Sequence, residues 1–251
     1  GCSDDTTVDI IVNGLPAVSF SAPANTCPRS TTTLTGAPTG GTFSVVTAGG
    51  GTISGTTYTA PATAGTYTLR YDYTDANTCT NFTTQPITVN SKIGLTAMSF
   101  SSSTVCVGST VTAQSTPTGG TWSVLSGPGT INASTGIISP TGSTMIDVRY
   151  IHPGVSGTSC PDTVMGSITP LANPIAIMTS SSAAMCVNTT RALTGTPAGG
   201  TFSVVSGGGT ISGTTLTAVS AGTVKVKYAI TGSGCSDDTT VDIIVNGLPA
   251  V

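Results

Sequence analysis

"TYTLRYDY", residues 66–73, places Tyr67, Leu69, Tyr71 and Tyr73 on one side and Thr68, Arg70 and Asp72 on the other. A period of two with aromatic and β-branched residues marks a half-buried strand, because successive strand side chains point to opposite faces. The same frame returns as Ile146, Val148 and Tyr150, and again as Val224, Val226, Tyr228 and Ile230. Arg70, Arg149 and Lys227 occupy the outward position before each Tyr and read as solvated charges on a sheet face.

The segments upstream of these strands repeat as well. "GAPTGGTFSVVTAGGGTISGTTYTA" at 36–60 returns as "STPTGGTWSVLSGPGTINASTGIIS" at 115–139 and as "GTPAGGTFSVVSGGGTISGTTLTA" at 195–218. Phe43, Trp122 and Phe202 mark the register at nearly equal intervals, each on an alternating strand that makes it a core residue. Residues 1–18, "GCSDDTTVDIIVNGLPAV", recur letter for letter at 234–251, which sets a longer period that takes in all three copies.

The resulting division places the last strand of a preceding module at 1–15, module 1 at 16–92, module 2 at 93–172, module 3 at 173–248 and the start of a further repeat at 249–251. The chain reads as a window onto a longer array, with residues 1–13 loose or paired with a neighbour's edge. Module 1 shows strands near Val18–Ser21, Thr31–Thr35 and Thr42–Val46, a short pair around Ile53 and Tyr58, then Tyr67–Tyr73 and an exit strand ending in "PITVN" at 86–90. About seven short strands separated by Gly, Pro and Asn turns predict an all-β chain of three immunoglobulin-like sandwiches. The Cys positions lie nearer strand ends than in antibody domains, so immunoglobulin topology in detail does not follow.

Seven cysteines accompany the repeats: Cys2, Cys27, Cys79, Cys106, Cys160, Cys186 and Cys235. The first Cys of each module precedes its Phe or Trp marker by sixteen residues. One disulfide per module is the simplest pairing: Cys27 with Cys79, Cys106 with Cys160, and Cys186 with Cys235. Cys2 is equivalent to Cys235 and is left over. Metal ligation is the rival, but there is no C-x-x-C and the only histidine is His152. Disulfides imply an oxidising compartment. They suit modules this short, which bury too little surface to be more than marginal alone.

The joins "NGLPAV", "NSKIGLTAM" and "PLANPIAI" are short and stiffened by Pro and β-branched residues. They predict an elongated, semi-rigid rod of about 110 Å per three modules, from about 3.3 Å per strand residue. Charge gives no competing partner. Ten acidic residues, all Asp, stand against seven Lys and Arg for a net charge of −3, with charged residues only 7% of the chain. No basic patch addresses nucleic acid. No apolar run reaches membrane-spanning length.

"PTGGTFSVV", "GGTISGTT", "AGTYTLRYDYTDANTC" and the exit "ITVN" resemble the tandem immunoglobulin-like repeats of very large secreted surface proteins of Bacteroidota. Many of those are exported by the type IX system and associated with adhesion or gliding. The resemblance covers all three modules and implies an extracellular, cell-surface location. "DTT" at Asp5–Thr7 and Asp238–Thr240, and "DTV" at Asp162–Val164, are similar to the O-glycosylation motif of such proteins, which makes Thr6, Thr239 and Thr163 candidate acceptors.

Catalysis finds little to work with. No catalytic, cofactor-binding or metal-binding residues are assigned, because acid–base and nucleophilic chemistry require paired titratable groups. His152, in the frame of Tyr73 and Ile230, reads as structural. Asp4–Asp5 and Asp237–Asp238 read as solvated turns rather than a Ca²⁺ loop. The expectation is a structural repeat segment of a surface fibre or stalk, partnered by its neighbouring repeats. The alternatives are modules that bind surface polysaccharide directly, or subunits of a filament made with other copies. Shared exposed aromatics would favour binding; buried aromatics under Thr/Ser faces would favour the stalk.

Overall fold

The computed structural model describes residues 1–180 and 184–249. Residues 250 and 251, expected to begin a further repeat, lie outside them. No helix occurs among the described residues.

In the first repeat, Gly65–Thr74 is the predicted alternating strand, with Tyr67, Leu69 and Tyr71 buried. It pairs antiparallel with the exit strand Thr80–Val89 from Gly65↔Val89 to Thr74↔Thr80, and on its other edge with Thr42–Val45. Asp75 closes the hairpin, its Oδ1 accepting the amides of Asn77 and Cys79 at 2.9 Å. A fourth strand, Asn25–Thr26, runs parallel to the end of the exit strand, with Asn25 opposite Thr88 and Thr26 opposite Val89. Sequence reading missed it, because two residues carry no periodicity. Thr31–Thr33, Thr57–Thr59 and Thr52–Ser54 form a second sheet, and Ser19–Ser21 pairs with Thr35–Ala37.

The third repeat builds the same arrangement. One sheet orders Ala184–Cys186, Cys235–Asn246, Gly222–Gly232 and Thr201–Ser206; the other orders Ile177–Ser180, Thr190–Thr196, Thr215–Ala218 and Gly209–Ser212. The middle repeat has a four-stranded sheet of Ser99–Phe100, Val111–Gln114, Ile137–Pro140 and Gly129–Ile131. Its three-stranded sheet is Thr121–Ser126, Ile146–His152 and Asp162–Ile168. Two compact units divide the chain: Gly1–Thr96 with Thr116–Gly120 and Ile151–Thr163, and the remainder.

Each unit has a core of facing sheets. One gathers Phe20, Leu34, Phe43, Tyr58, Tyr67, Leu69, Tyr71, Ile87 and Val89; the other gathers Met178, Met185, Leu193, Leu216, Val224, Val226, Tyr228, Ile243 and Val245. Trp122 is buried against Tyr150, ring centroids 4.4 Å apart, as Phe43 is against Tyr71 at 4.5 Å; Phe202, half-buried, packs on Tyr228 at 4.7 Å.

The Tyr of each terminal repeat also pins the turn before its aromatic partner. The Tyr71 hydroxyl donates to the Pro38 carbonyl oxygen at 2.5 Å and accepts the Gly41 amide at 2.8 Å. Tyr228 does the same with Pro197 and Gly200. This explains the paired glycines. The first, Gly40 or Gly199, has φ near +95°, a region that disfavours a side chain. The second has no room for one: a Cβ on Gly41 would lie 2.3 Å from the Asp72 carbonyl oxygen, and one on Gly200 2.4 Å from the Tyr228 ring.

Residues 1–18 carry no strand, and Val8, Ile10, Ile11 and Val12 are exposed. Residues of identical sequence form the twelve-residue strand Cys235–Asn246, which pairs with Gly222–Gly232 from Cys235 to Val245. The sequence therefore makes a strand where a sheet edge is offered to it, as expected of a propensity that measures packing more than backbone preference.

Tyr71→Phe removes two bonds but leaves the ring, and should lower stability by about 1 kcal/mol. Gly41→Ala drives a methyl into the same turn and should cost more, about 1–3 kcal/mol. The order of the urea midpoints of the two variants checks this.

Candidate functional site

Cys27 immediately follows the short strand Asn25–Thr26, which lies beside the last residues of the exit strand, so it stands at the downstream end of its repeat. The Thr88 amide donates to the Ala24 carbonyl oxygen and the Asn90 amide to that of Thr26, both at 2.9 Å, which holds it there. Cys79 immediately precedes Thr80, where the same exit strand begins. Ten strand residues, about 34 Å at about 3.4 Å each, separate the two cysteines along the sheet. A disulfide needs Cα atoms within about 7 Å.

The expected pairing within repeats is therefore corrected. Cys27 bonds Cys160 and Cys106 bonds Cys235, each with Cα atoms 5.7 Å apart, across sequence separations of 133 and 129. Cys79 and Cys186 are unbonded, as is Cys2, which was expected to lack a partner here. The middle and third repeats show the same cause: Cys106 bridges Leu171 in parallel, and Cys186 lies opposite Asn246 at the far end of the strand that starts at Cys235. Every early Cys marks a downstream end and every late Cys an upstream end. The bonds consequently form across repeat boundaries.

Backbone and side chains complete the junctions. At the first, the Cys160 amide donates to the Ser91 carbonyl oxygen at 2.8 Å, and the Ile93 amide to that of Cys160 at 3.0 Å. Asp162, two residues after the Cys, accepts the Leu95 amide at 3.3 Å and pairs with Lys92 at 3.1 Å. At the second, Val107 donates to the Leu171 carbonyl oxygen at 3.0 Å, and Asn173 Nδ2 to that of Val107 at 3.1 Å. Asp237, again two residues after the Cys, accepts the Ala176 amide at 2.9 Å.

Burial alone pushes the Asp162 carboxyl up. The bond from Lys92, the amides of Thr163 and Leu95, and the Lys92 charge outweigh it and hold the group below its usual range. A lowered carboxylate pKa adds stability that is present in full above the ordinary value, about 3.9, and is lost as pH falls through the lower folded one.

The other singled-out residues have structural uses. His152 is buried, Nδ1 accepting the Gly154 amide at 3.0 Å, which leaves Nε2 to donate to the Thr118 carbonyl oxygen at 3.1 Å. Asp238 pairs with Lys227, and Arg70 pairs with Asp72 while its guanidinium lies over the Phe82 ring, 3.8 Å from the centroid. Arg149 differs from its outward equivalents: its Nε is buried without a hydrogen-bond partner. Burial, then the Tyr67 charge, push the Tyr58 phenol up, and its hydroxyl donates to the Gly50 carbonyl oxygen at 2.8 Å. No cluster of three His, Cys, Asp or Glu that could hold a metal occurs among the described residues. Thr6 and Thr163 are exposed, and Thr239 is half-buried.

No known protein family matches the sequence, and no curated protein does. Among solved structures, the chain aligns with protocadherin gamma B2 extracellular cadherin domains 3–6 at 11% identity, covering 93% of this chain and 78% of that one, with a TM-score of 0.29. Mouse cadherin-23 EC22–24 aligns at 13% identity over 92% and 99%, with a TM-score of 0.27. The human desmocollin-1 ectodomain aligns at 12% over 76% and 51%, with a TM-score of 0.25. Superpositions this loose assign neither a family nor a function.

Proteolytic mapping without reduction should recover Cys27 joined to Cys160 and Cys106 joined to Cys235, while Cys2, Cys79 and Cys186 alkylate freely. Asp162→Asn should cost up to about 1 kcal/mol at pH 7, the usual ceiling for exposed ion pairs. That difference from the parent chain should shrink in urea titrations as the pH falls below the ordinary carboxylate range; a penalty that does not change with pH would contradict the Asp162 reading.

Proposed function

We propose that the chain is a structural segment of a long extracellular surface fibre or stalk, with immunoglobulin-like modules at 16–92, 93–172 and 173–248, belonging to a bacterial adhesin of the Bacteroidota type. The observation that carries this is the interleaving of the two cystines: the span closed by Cys27–Cys160 overlaps the span closed by Cys106–Cys235. Disulfides also fit an oxidising, extracellular setting.

Interleaving has a mechanical consequence. Under tension the shortest covalent route runs from residue 1 to Cys27, across to Cys160, back to Cys106, across to Cys235 and on to residue 251. Even if every strand gave way, that route would cross well under half of the chain. At about 3.5 Å per extended residue, the route is capped at about 340 Å, against about 880 Å for the reduced chain. A disulfide within each module would leave the joins unguarded. One across each boundary guards the joins and shortens the run that can be pulled out, which is what a tension-bearing stalk requires.

The aromatic residues favour the stalk over the adhesive alternative. Most rings are buried or half-buried in the cores; Phe82 is exposed, but it is stacked on Arg70 and the other repeats have Thr163 and Asp238 at its position. One exposed apolar position is common to the repeats, Val46, Leu125 and Val205, and single residues do not make a docking patch. Thr6 and Thr163, each exposed and each following an Asp, are better placed than half-buried Thr239 as candidate O-glycosylation sites.

Pulling the full chain by its termini tests the proposal. The final extension should reach about 340 Å when oxidised and should rise about 2.6-fold with a reductant, both from the extended length per residue. Equal extensions in both conditions would defeat it.

A further inference from the structure

The two bonded junctions are built from repeat-equivalent parts, and the same parts recur at Cys79 and Cys186. Two residues after each late Cys, a polar side chain holds the incoming segment: Asp162 accepts from Leu95, Asp237 from Ala176, and Asn81 Nδ2 donates to the Pro16 carbonyl oxygen at 2.9 Å. The upstream end at Cys79 is thus docked like the ends at Cys160 and Cys235. Each early Cys is presented by one turn: its carbonyl oxygen accepts the amide three residues on, from Ser30, Ser109 and Thr189. The residue between has positive φ, 61° at Arg29, 83° at Gly108 and 65° at Asn188. Val187 donates to the Asn246 carbonyl oxygen at 3.0 Å, as Val107 does to that of Leu171. Cys186, exposed, is therefore posed as Cys27 and Cys106 are.

A second observation names the partner. The segment docked on Asn81 is "NGLPAV", residues 13–18, and the same six letters, 246–251, begin at the last residue of the third repeat's exit strand. The end bearing Cys79 already accommodates the sequence that leaves the end bearing Cys186.

We propose that Cys186 of one copy of this repeat unit forms a disulfide with Cys79 of a second copy, end to end, closing that boundary as the other two are closed. This rests on the array reading above and extends it to every join. The two thiols lose two protons and two electrons as the S–S bond forms. A small-molecule disulfide such as oxidised glutathione takes them up by exchange and leaves as two thiols.

The test uses the full chain with Cys2→Ser throughout, concentrated and oxidised with glutathione disulfide. Non-reducing electrophoresis should show a ladder of covalent multimers. Cys79→Ser alone and Cys186→Ser alone should stay monomeric. Their mixture should give a dimer and nothing longer, mapping as Cys186 joined to Cys79. Glutathione adducts without a ladder, or like-with-like dimers from either single variant, overturn the proposal. The same digests report Cys27–Cys160 and Cys106–Cys235. If those bonds are present without the ladder, this inference falls and the array reading stands; if they are absent, both fall.

Discussion

Everything distinctive here depends on a very short parallel pairing at one edge of each exit strand. Asn25–Thr26 beside Thr88–Val89, Cys106 beside Leu171 and Ala184–Cys186 beside Ile244–Asn246 carry the early cysteine to the end where the exit strand leaves the repeat. Were those segments paired antiparallel at the start of the exit strand, the early and late cysteines of one repeat would meet. Parallel pairing sends them to opposite ends, and each cystine becomes a fastening between repeats.

That placement divides labour between two kinds of interaction. A cystine within a small domain limits the unfolded chain and so stabilises the domain that contains it. These cystines join different repeats, so each repeat depends on its own packing: the Tyr71 and Tyr228 rings over their aromatic partners, with hydroxyls fixed to the turns ahead. Charge adds little, because the ion pairs Arg70–Asp72, Lys225–Asp242 and Lys227–Asp238 are partly exposed, a setting in which such pairs contribute weakly.

The all-β character, the repeat register and the buried frame of Tyr67, Leu69 and Tyr71 were legible in the sequence because strict alternation over a whole strand has one physical reading. The core roles of Phe43 and Trp122 followed for the same reason. The cystine pairing was not legible. Constant spacing from Cys to aromatic shows that cysteines are equivalent, but equivalence holds whether bonds close within repeats or between them. The deciding strand is two residues long, and its direction leaves no mark on composition. The junction role of Asp162 was hidden too, since a carboxylate that receives Leu95 looks, in sequence, like one more solvated Asp.

The same argument accounts for how little the surface has been shaped. A binding module needs a patch whose chemistry is held constant against its ligand; a spacer needs only ends that match. In this chain the ends repeat in role: the cysteines, the positive-φ turn after the early one, and the polar residue two after the late one. Between them the buried frame repeats, with Tyr71, Tyr150 and Tyr228 at one equivalent position. Recurrence in cores and ends is the pattern that the proposed stalk would require, since stability in a repeat array is set by each repeat and by its contacts with its neighbours.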